Sequence, residues 1–400
     1  MHIRASVDIA SLFCLVRIAF ASEFVYHTAE AQREVLRSLH SAYPKLTRLE
    51  TIGRFSANPV YTLVISKHGK RRFMIPRVHL LADFPAGTEL LLQFGSYILQ
   101  EYGRTQGITK LIDSTEVHLV PSLVTTNVNE TSKKDCSADD RPHDLGKFPD
   151  YFNSNRVTDS TRYEVTEEVR LLMEWLRRGK FVLGGHLKGG MGDLVAAYGF
   201  HNGLPVSTTN VAPDRDSLVR LARIFAASHP RMKYGAAQCP GGHLGGFPGG
   251  VTNALSWKRQ PGLLQDYAYV HEGTLVVTLS VSCCRIPQQS QLQTLWNENR
   301  IPLLAFLKEV HRGVRGYVKN VDGTHVPGAS LVIKGRNVAF KSSEQGEFWR
   351  ILLPGDYELL VSATGFLPAA VHFSSVEADE KVAAPEFAVG LELSSLYQQL

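Results

Sequence analysis

The chain has 400 residues and is 44% hydrophobic, enough for one large core or for a large and a small domain. Its 43 Lys and Arg nearly balance 38 Asp and Glu, and no basic run is long enough to point to nucleic acid. Beyond the N-terminus no stretch of about eighteen uncharged apolar residues occurs, which argues against a membrane span in this chain.

Residues 1–21 read as a secretory signal peptide. Arg4 supplies a basic start, Ile9 to Ala21 is mostly apolar, and Ala19-Phe20-Ala21 has the small-x-small form of a cleavage site. Asp8 and Arg17 count against that reading, and a non-cleaved N-terminus is the alternative. Cys14 lies in this segment, which leaves Cys136, Cys239, Cys283 and Cys284 with three possible full pairings. Neighbouring strand residues face opposite ways, so Cys283 and Cys284 are expected in different environments. The sequon Asn129-Glu130-Thr131 marks Asn129 as a glycosylation acceptor in a polar loop. These features fit a secreted protein or one in the secretory-pathway lumen.

In chain order, Thr28 is placed to cap a helix whose apolar stripe is Val35, Leu36 and Leu39. Strand-like pieces follow at 47–53 and 60–66 around a turn at Asn58-Pro59, and another at 72–81, where Pro76 argues for an edge position or a bend. Residues 88–102 carry Leu91, Phe94 and Ile98 at helical spacing, and 116–121 read as a buried strand running into the polar stretch 125–141. Thr166 caps a clearer helix with Glu167 and Glu168 at its positive end, one face of Val169, Leu172, Met173 and Leu176, and a stop at Gly179. Phe181-Val182-Leu183 followed by Gly184-Gly185 reads as a buried strand ending where backbone comes close to something. Asp214 starts a helix behind Pro213, residues 274–282 form a β run, and 292–311 form a long helix.

Strands alternating with helices over nearly three hundred residues predict an α/β domain with a mixed sheet, residues 22–313. After Gly313 short β runs alternate with turn pairs such as Asp322-Gly323 and Pro354-Gly355. That texture predicts a small β-sandwich over residues 314–400 with a short C-terminal tail.

The stretch Leu187-Lys188-Gly189-Gly190, with Leu194-Val195-Ala196-Ala197-Tyr198-Gly199-Phe200 beyond it, resembles one family. Regulatory-type (N/E subfamily, M14) zinc metallocarboxypeptidases carry Leu-His-Gly-Gly and then Leu-Val-x-x-Tyr-Pro-Phe in that order. Met173-Glu174-Trp175-Leu176, Gly250-Val251-Thr252-Asn253 with Trp257, Gln265-Asp266-Tyr267-Ala268-Tyr269 and residues 278–284 extend the likeness to most of the chain. The β domain looks like the transthyretin-like module that follows the peptidase domain in this subfamily. Lys134-Asp135-Cys136 and Gly87-Thr88-Glu89-Leu90 look most like the third, catalytically silent repeat of carboxypeptidase D.

The resemblance implies a zinc held by a His-x-x-Glu pair and a later His, with one position open for water. The first pair falls on Leu81 and Phe84, and the third ligand on Lys188. Two are hydrocarbons and the third is an ammonium, so no zinc is expected and no cofactor replaces it. The general-base Glu of the family falls on Ser280, and the carboxylate-binding Arg lies in a run that here reads Leu145-Gly146-Lys147-Phe148. Lys147 supplies at most a point charge there. Asn253 and Tyr269 remain from the substrate side. Tyr269 is implied to close over the substrate's C-terminus, with a packed aromatic as the alternative. The family pairs the cysteine matching Cys239 with a residue that is Thr274 here, so Cys239 needs another partner or stays free. His79 and His186 sit two residues before lost ligand positions, but a displaced metal site there, or at His243 and His271, is expected less than structural histidines.

Together these readings predict a catalytically inactive metallocarboxypeptidase homologue acting as a binding or scaffold module, with peptide or protein C-termini, or another protein, as partners. The alternatives are an active zinc carboxypeptidase releasing C-terminal Arg or Lys through a rearranged site, and one repeat of a longer membrane-anchored protein.

Overall fold

The long apolar runs of the middle of the chain form strands buried on both faces, as parallel strands covered by helices must be. The computed structural model describes residues 24–55, 58–69, 73–123, 148, 165–199, 211–235, 239–240, 242–243, 245–257, 262–377 and 386–392. The larger domain runs through α1 (Ala29–Ala42), β1 (Thr47–Phe55), β2 (Asn58–Ile65), β3 (Arg77–Ala82), α2 (Pro85–Glu101), α3 (Gln106–Ser114) and β4 (Glu116–Val120). It continues with α4 (Glu167–Gly179), β5 (Leu183–Gly189), β6 (Val195–Tyr198), α5 (Arg215–Ser228), β7 (Val251–Asn253), the short α6 (Ala254–Trp257), α7 (Leu264–Glu272), β8 (Leu275–Ser282) and α8 (Leu292–Lys308).

Among the described residues eight strands pair in the order β1-β2-β4-β3-β5-β8-β6-β7. The central four, β4, β3, β5 and β8, are mutually parallel, while β2 and β6 flank them antiparallel. One face of this sheet packs Leu80, Leu187, Val277 and Leu279 against Phe94 and Ile98 of α2, Phe225 of α5 and Phe306 of α8. The other face packs Leu81, Val120 and Val276 against Val169, Leu172 and Trp175 of α4 and Tyr267 of α7. The mixed-sheet α/β/α expectation therefore holds.

Several local readings need correction. β3 lies between β4 and β5, so it is not an edge strand, and Pro76 stands just before its first residue, where a missing N–H costs no ladder bond. Asn58-Pro59 is not a turn but the start of β2, paired to Arg54 and Phe55. The strand at Leu183 does not end at Gly184-Gly185. It runs on to Gly189, and a Cβ on Gly184 would stand 2.3 Å from His79 Nε2, so this glycine makes room for a histidine on the next strand. Thr166 does cap α4, accepting from Val169 N at 3.3 Å, but the helix includes Gly179 and Lys180 takes the left-handed closing position at φ 47°.

The second domain is a two-sheet sandwich that begins at β9 (Val314–Asn320). It continues through β10 (Ser330–Ile333), β11 (Phe340–Lys341), β12 (Glu347–Arg350), β13 (Gly355–Ser362), β14 (Ala369–Ser375) and β15 (Glu386–Leu391). Its sheets, β11-β10-β13-β14 and β12-β9-β15, close on Val318, Leu331, Phe348, Leu359 and Val389.

Ionic contacts hold the sandwich to the larger domain. Asp214 stands at the start of α5, as expected, but its side chain makes no capping bond. Its carboxylate instead receives Arg350 Nη2, Arg336 Nη1 at 2.8 Å and the Tyr269 hydroxyl at 2.9 Å. Arg350 is 2% exposed and also donates to the Gly273 carbonyl at 2.6 Å, while Arg336 reaches Asp216 at 2.7 Å. Removing one member of a buried ion pair typically costs about 3–5 kcal/mol because a charge is left desolvated and unpaired. Arg350→Ala should therefore lower the urea midpoint of the full chain by an amount equivalent to about 3–5 kcal/mol. An unchanged midpoint would remove this contact from the domain junction.

Candidate functional site

The parallel strands bring the expected site positions together at their carboxyl ends. The register sets Leu81 of β3 opposite His186 of β5, and Lys188 of β5 opposite Ser280 of β8. Phe84 follows β3 as the residue that opens α2.

Each position is committed to something other than a metal. Leu81 is fully buried among the apolar residues under α4 and α7. The Phe84 ring fills the space between two glycines, since a Cβ built on either Gly87 or Gly189 would lie 2.3 Å from it. Lys188 Nζ donates to Asp83 Oδ2, and His186 Nε2 lies 3.1 Å from the same oxygen. Burial works against the charge of Asp83, yet the Lys188 ammonium and the His186 ring hold its carboxyl well below the usual carboxylate range. Burial, helped by the Lys188 charge, pushes His186 down, so the ring is neutral and the Lys188–Asp83 pair carries the formal charges.

Asp83, the partner of Lys188 and His186 at this rim, was not singled out from the sequence. The available signal was a lone carboxylate between the two hydrocarbon positions, in a run that is otherwise apolar.

Ser280 is fully buried, and its Oγ donates to the Asp193 carbonyl at 2.6 Å. The Asp193 carboxylate accepts from His243 N at 3.1 Å and from Trp257 Nε1 at 3.3 Å, tying the glycine-rich loop to the start of β6. Tyr269 is 2% exposed, with its hydroxyl on Asp214, and burial followed by the Asp214 charge raises its pKa. In this arrangement the Tyr269 ring is packed in the core with its hydroxyl paired. Asn253 ends β7, half-buried beside Tyr198, and Lys147 and Asn129 lie outside the described residues. Cys239 has its partner in Cys283, and Cys284 is disulfide-bonded as well.

A catalytic zinc takes three protein donors of nitrogen, oxygen or sulfur. Leu81 and Phe84 offer none, and Lys188 presents an ammonium. Among the described residues no three His, Cys, Asp or Glu side chains gather as metal ligands, at His79, His186, His243 or His271 included. These residues do not fit a zinc ion.

Residues 33–301 match the zinc carboxypeptidase family model, and residues 313–389 that of the carboxypeptidase regulatory-like domain. The chain is 33% identical over 369 residues to carboxypeptidase M of Mus musculus, covering 88% of this chain and 81% of that protein. It is 31% identical over 389 residues to carboxypeptidase D of Homo sapiens, covering 86% of this chain but spanning 28% of that longer protein. The solved carboxypeptidase A from Helicoverpa armigera superposes with a TM-score of 0.55 at 13% identity, over 75% of this chain and 80% of that one, a likeness of fold alone. The chain belongs to the zinc carboxypeptidase family, with a regulatory-like β-sandwich attached.

The face of the sheet below the rim carries three buried histidines. His79 is fully buried against Trp175 and Phe181 with neither ring nitrogen hydrogen-bonded, and burial lowers its pKa to about 3. His118 pairs with Glu116 at 2.8 Å, and burial still lowers it. A histidine whose folded pKa lies below its unfolded value stabilises fully above the unfolded value of 6.5, and the contribution is lost as pH falls below it. At pH 5 His79 alone should cost about 2 kcal/mol relative to pH 7.5. Urea titrations at the two pH values should show that loss, and His79→Phe should remove its share; an equal loss in the variant would contradict it. Separately, Lys188→Met should cost about 3 kcal/mol by stranding Asp83, and Asp83→Asn with Lys188→Met should recover most of it. Additive losses in that double-mutant cycle would show that the pair is not coupled.

Proposed function

We propose that this chain keeps the carboxypeptidase fold without peptide hydrolysis and serves as a binding or scaffold module in the secretory pathway, in the manner of the silent third repeat of carboxypeptidase D. One observation carries the reading: an ammonium and a carboxylate neutralise each other where the family holds its divalent ion. Hydrolysis at such a rim normally needs a metal-bound water of lowered pKa and a carboxylate base, which are separate contributions. Ser280 offers a hydroxyl already spent on a carbonyl. Losing these groups costs the fold nothing, since core packing does not depend on them. The Cys239–Cys283 disulfide supports an oxidising compartment. Residues 1–21 and the Asn129 sequon, which point the same way, lie outside the described residues. The ligand class proposed with this reading is a peptide or protein C-terminus, or another protein.

The test is metal content and turnover on one preparation. Purified full chain should hold far less than one zinc per chain and should release C-terminal Arg or Lys from a short peptide at the background rate. Stoichiometric zinc with chelator-sensitive release would overturn the reading in favour of an active enzyme.

A further inference from the structure

The chain enters α1 through residues 24–28, a short segment without regular structure that touches three separate parts of the larger domain. Phe24 and Tyr26 pack half-buried against the core. The Tyr26 hydroxyl donates to the Pro287 carbonyl at 2.7 Å, in the loop that follows β8. His27 meets Glu89 of α2 twice: its backbone N–H donates to Oε1 at 2.8 Å, and its Nδ1 lies 2.6 Å from Oε2. The Gln32 amide of α1 donates back to the His27 carbonyl at 2.9 Å, and Thr28 caps the same helix, accepting from Ala31 N at 3.3 Å. The segment is thus fixed to α1 and reaches from α2 to the loop after β8.

Glu89 depends on this contact. It stands in the first turns of α2 with 6% of its side chain exposed, between Thr88 and Leu90, which are buried as well. A carboxylate in such a place is tolerated when it is hydrogen-bonded and paired, and among the described residues His27 bonds both of its oxygens. The imidazole is 22% exposed, so its proton exchanges with solvent. Among the described residues Glu89 is the charged group that acts on His27. Tyr26, beside it, is raised by burial and then by the same carboxylate, so its hydroxyl stays a donor. The bond to Glu89 raises the His27 pKa against the opposing effect of burial. A histidine raised on folding stabilises fully below the unfolded value of 6.5, and the contribution is lost as pH rises through the folded value. That direction is the reverse of His79.

We propose that residues 24–28 form a proton-operated strap, which clamps α2 to the loop after β8 while His27 is protonated and loosens when that proton leaves. Both anchors border the rim. Phe84, which fills the space between Gly87 and Gly189, opens the helix that carries Glu89, and β8, which carries Ser280, leads into the loop that holds Pro287. The strap therefore tightens the walls of the rim at mildly acidic pH, where His186 stays neutral and the Lys188–Asp83 pair is unchanged. It stands apart from any reading of what the rim binds or hydrolyses.

The experiment is backbone amide exchange in residues 24–28 of the full chain at pH 6 and pH 9, for wild type and His27→Asn. The asparagine amide keeps a neutral donor near the Nδ1 position, and taking the ratio of the two proteins at each pH cancels the intrinsic pH dependence of exchange. At pH 6 wild type should exchange roughly 3–10-fold more slowly than the variant, the size expected of a charge-assisted bond at a partly exposed site, and at pH 9 the ratio should fall toward one. Glu89→Gln should remove the pH dependence. Tyr26→Phe should speed exchange in the loop after β8 at both pH values. Amides within β8 should exchange alike in wild type and His27→Asn, which separates opening of the strap from loss of the fold. A ratio equal at the two pH values, or larger at pH 9, overturns the proposal, as does an unchanged pH dependence in Glu89→Gln.

Discussion

The contact between Lys188 and Asp83 decides what the rim of this sheet can be. The Lys188 ammonium stands at the end of a central strand, and Asp83, just beyond the end of the neighbouring β3, is its counter-ion. The carboxylate in turn cannot remain charged there without the ammonium, and the neutral His186 ring completes its partners. Beside that pair the Phe84 ring fills the space between Gly87 and Gly189, and Leu81 lies in the core under α4 and α7. Ion pair, plugged gap and buried leucine are mutually consistent, and together they present no cluster of donors.

Much of the scaffold was legible because burial leaves a linear trace. Strands covered on both faces read as apolar runs, and β8 is buried along its whole length. The α4 helix announced itself through Thr166, the paired glutamates and a clean apolar face. What could not be read were pairings set by register. Asp83 and Lys188 are 105 residues apart, and only the alignment of β3 with β5 brings them together. The same holds for Asp214, which read only as the start of a helix and is the anchor for Arg336 and Arg350, more than 120 residues further on. Gly184 looked like a corner because its real reason, the bulk of His79, sits on a different strand.

Two kinds of buried polar group in this fold differ in how they meet acid. Those between the domains are arginines and carboxylates, matched in number around Asp214. Those inside the sheet are histidines held neutral by burial, with His79 the extreme case. Neutral imidazoles fit a packed interior at neutral pH but leave the interior vulnerable to acid, whereas the Asp214 carboxyl, although burial works against its charge, is held below the usual carboxylate range by Arg350 and Arg336.

The central claim, that an ammonium–carboxylate pair stands where relatives place an ion, is most directly checked by diffraction from crystals grown in excess zinc, with data on both sides of the zinc absorption edge. The account predicts no anomalous peak within coordination distance of Asp83, His186 or Lys188, with Lys188 still on Asp83. An ordered zinc bound there, with Lys188 displaced, would contradict it.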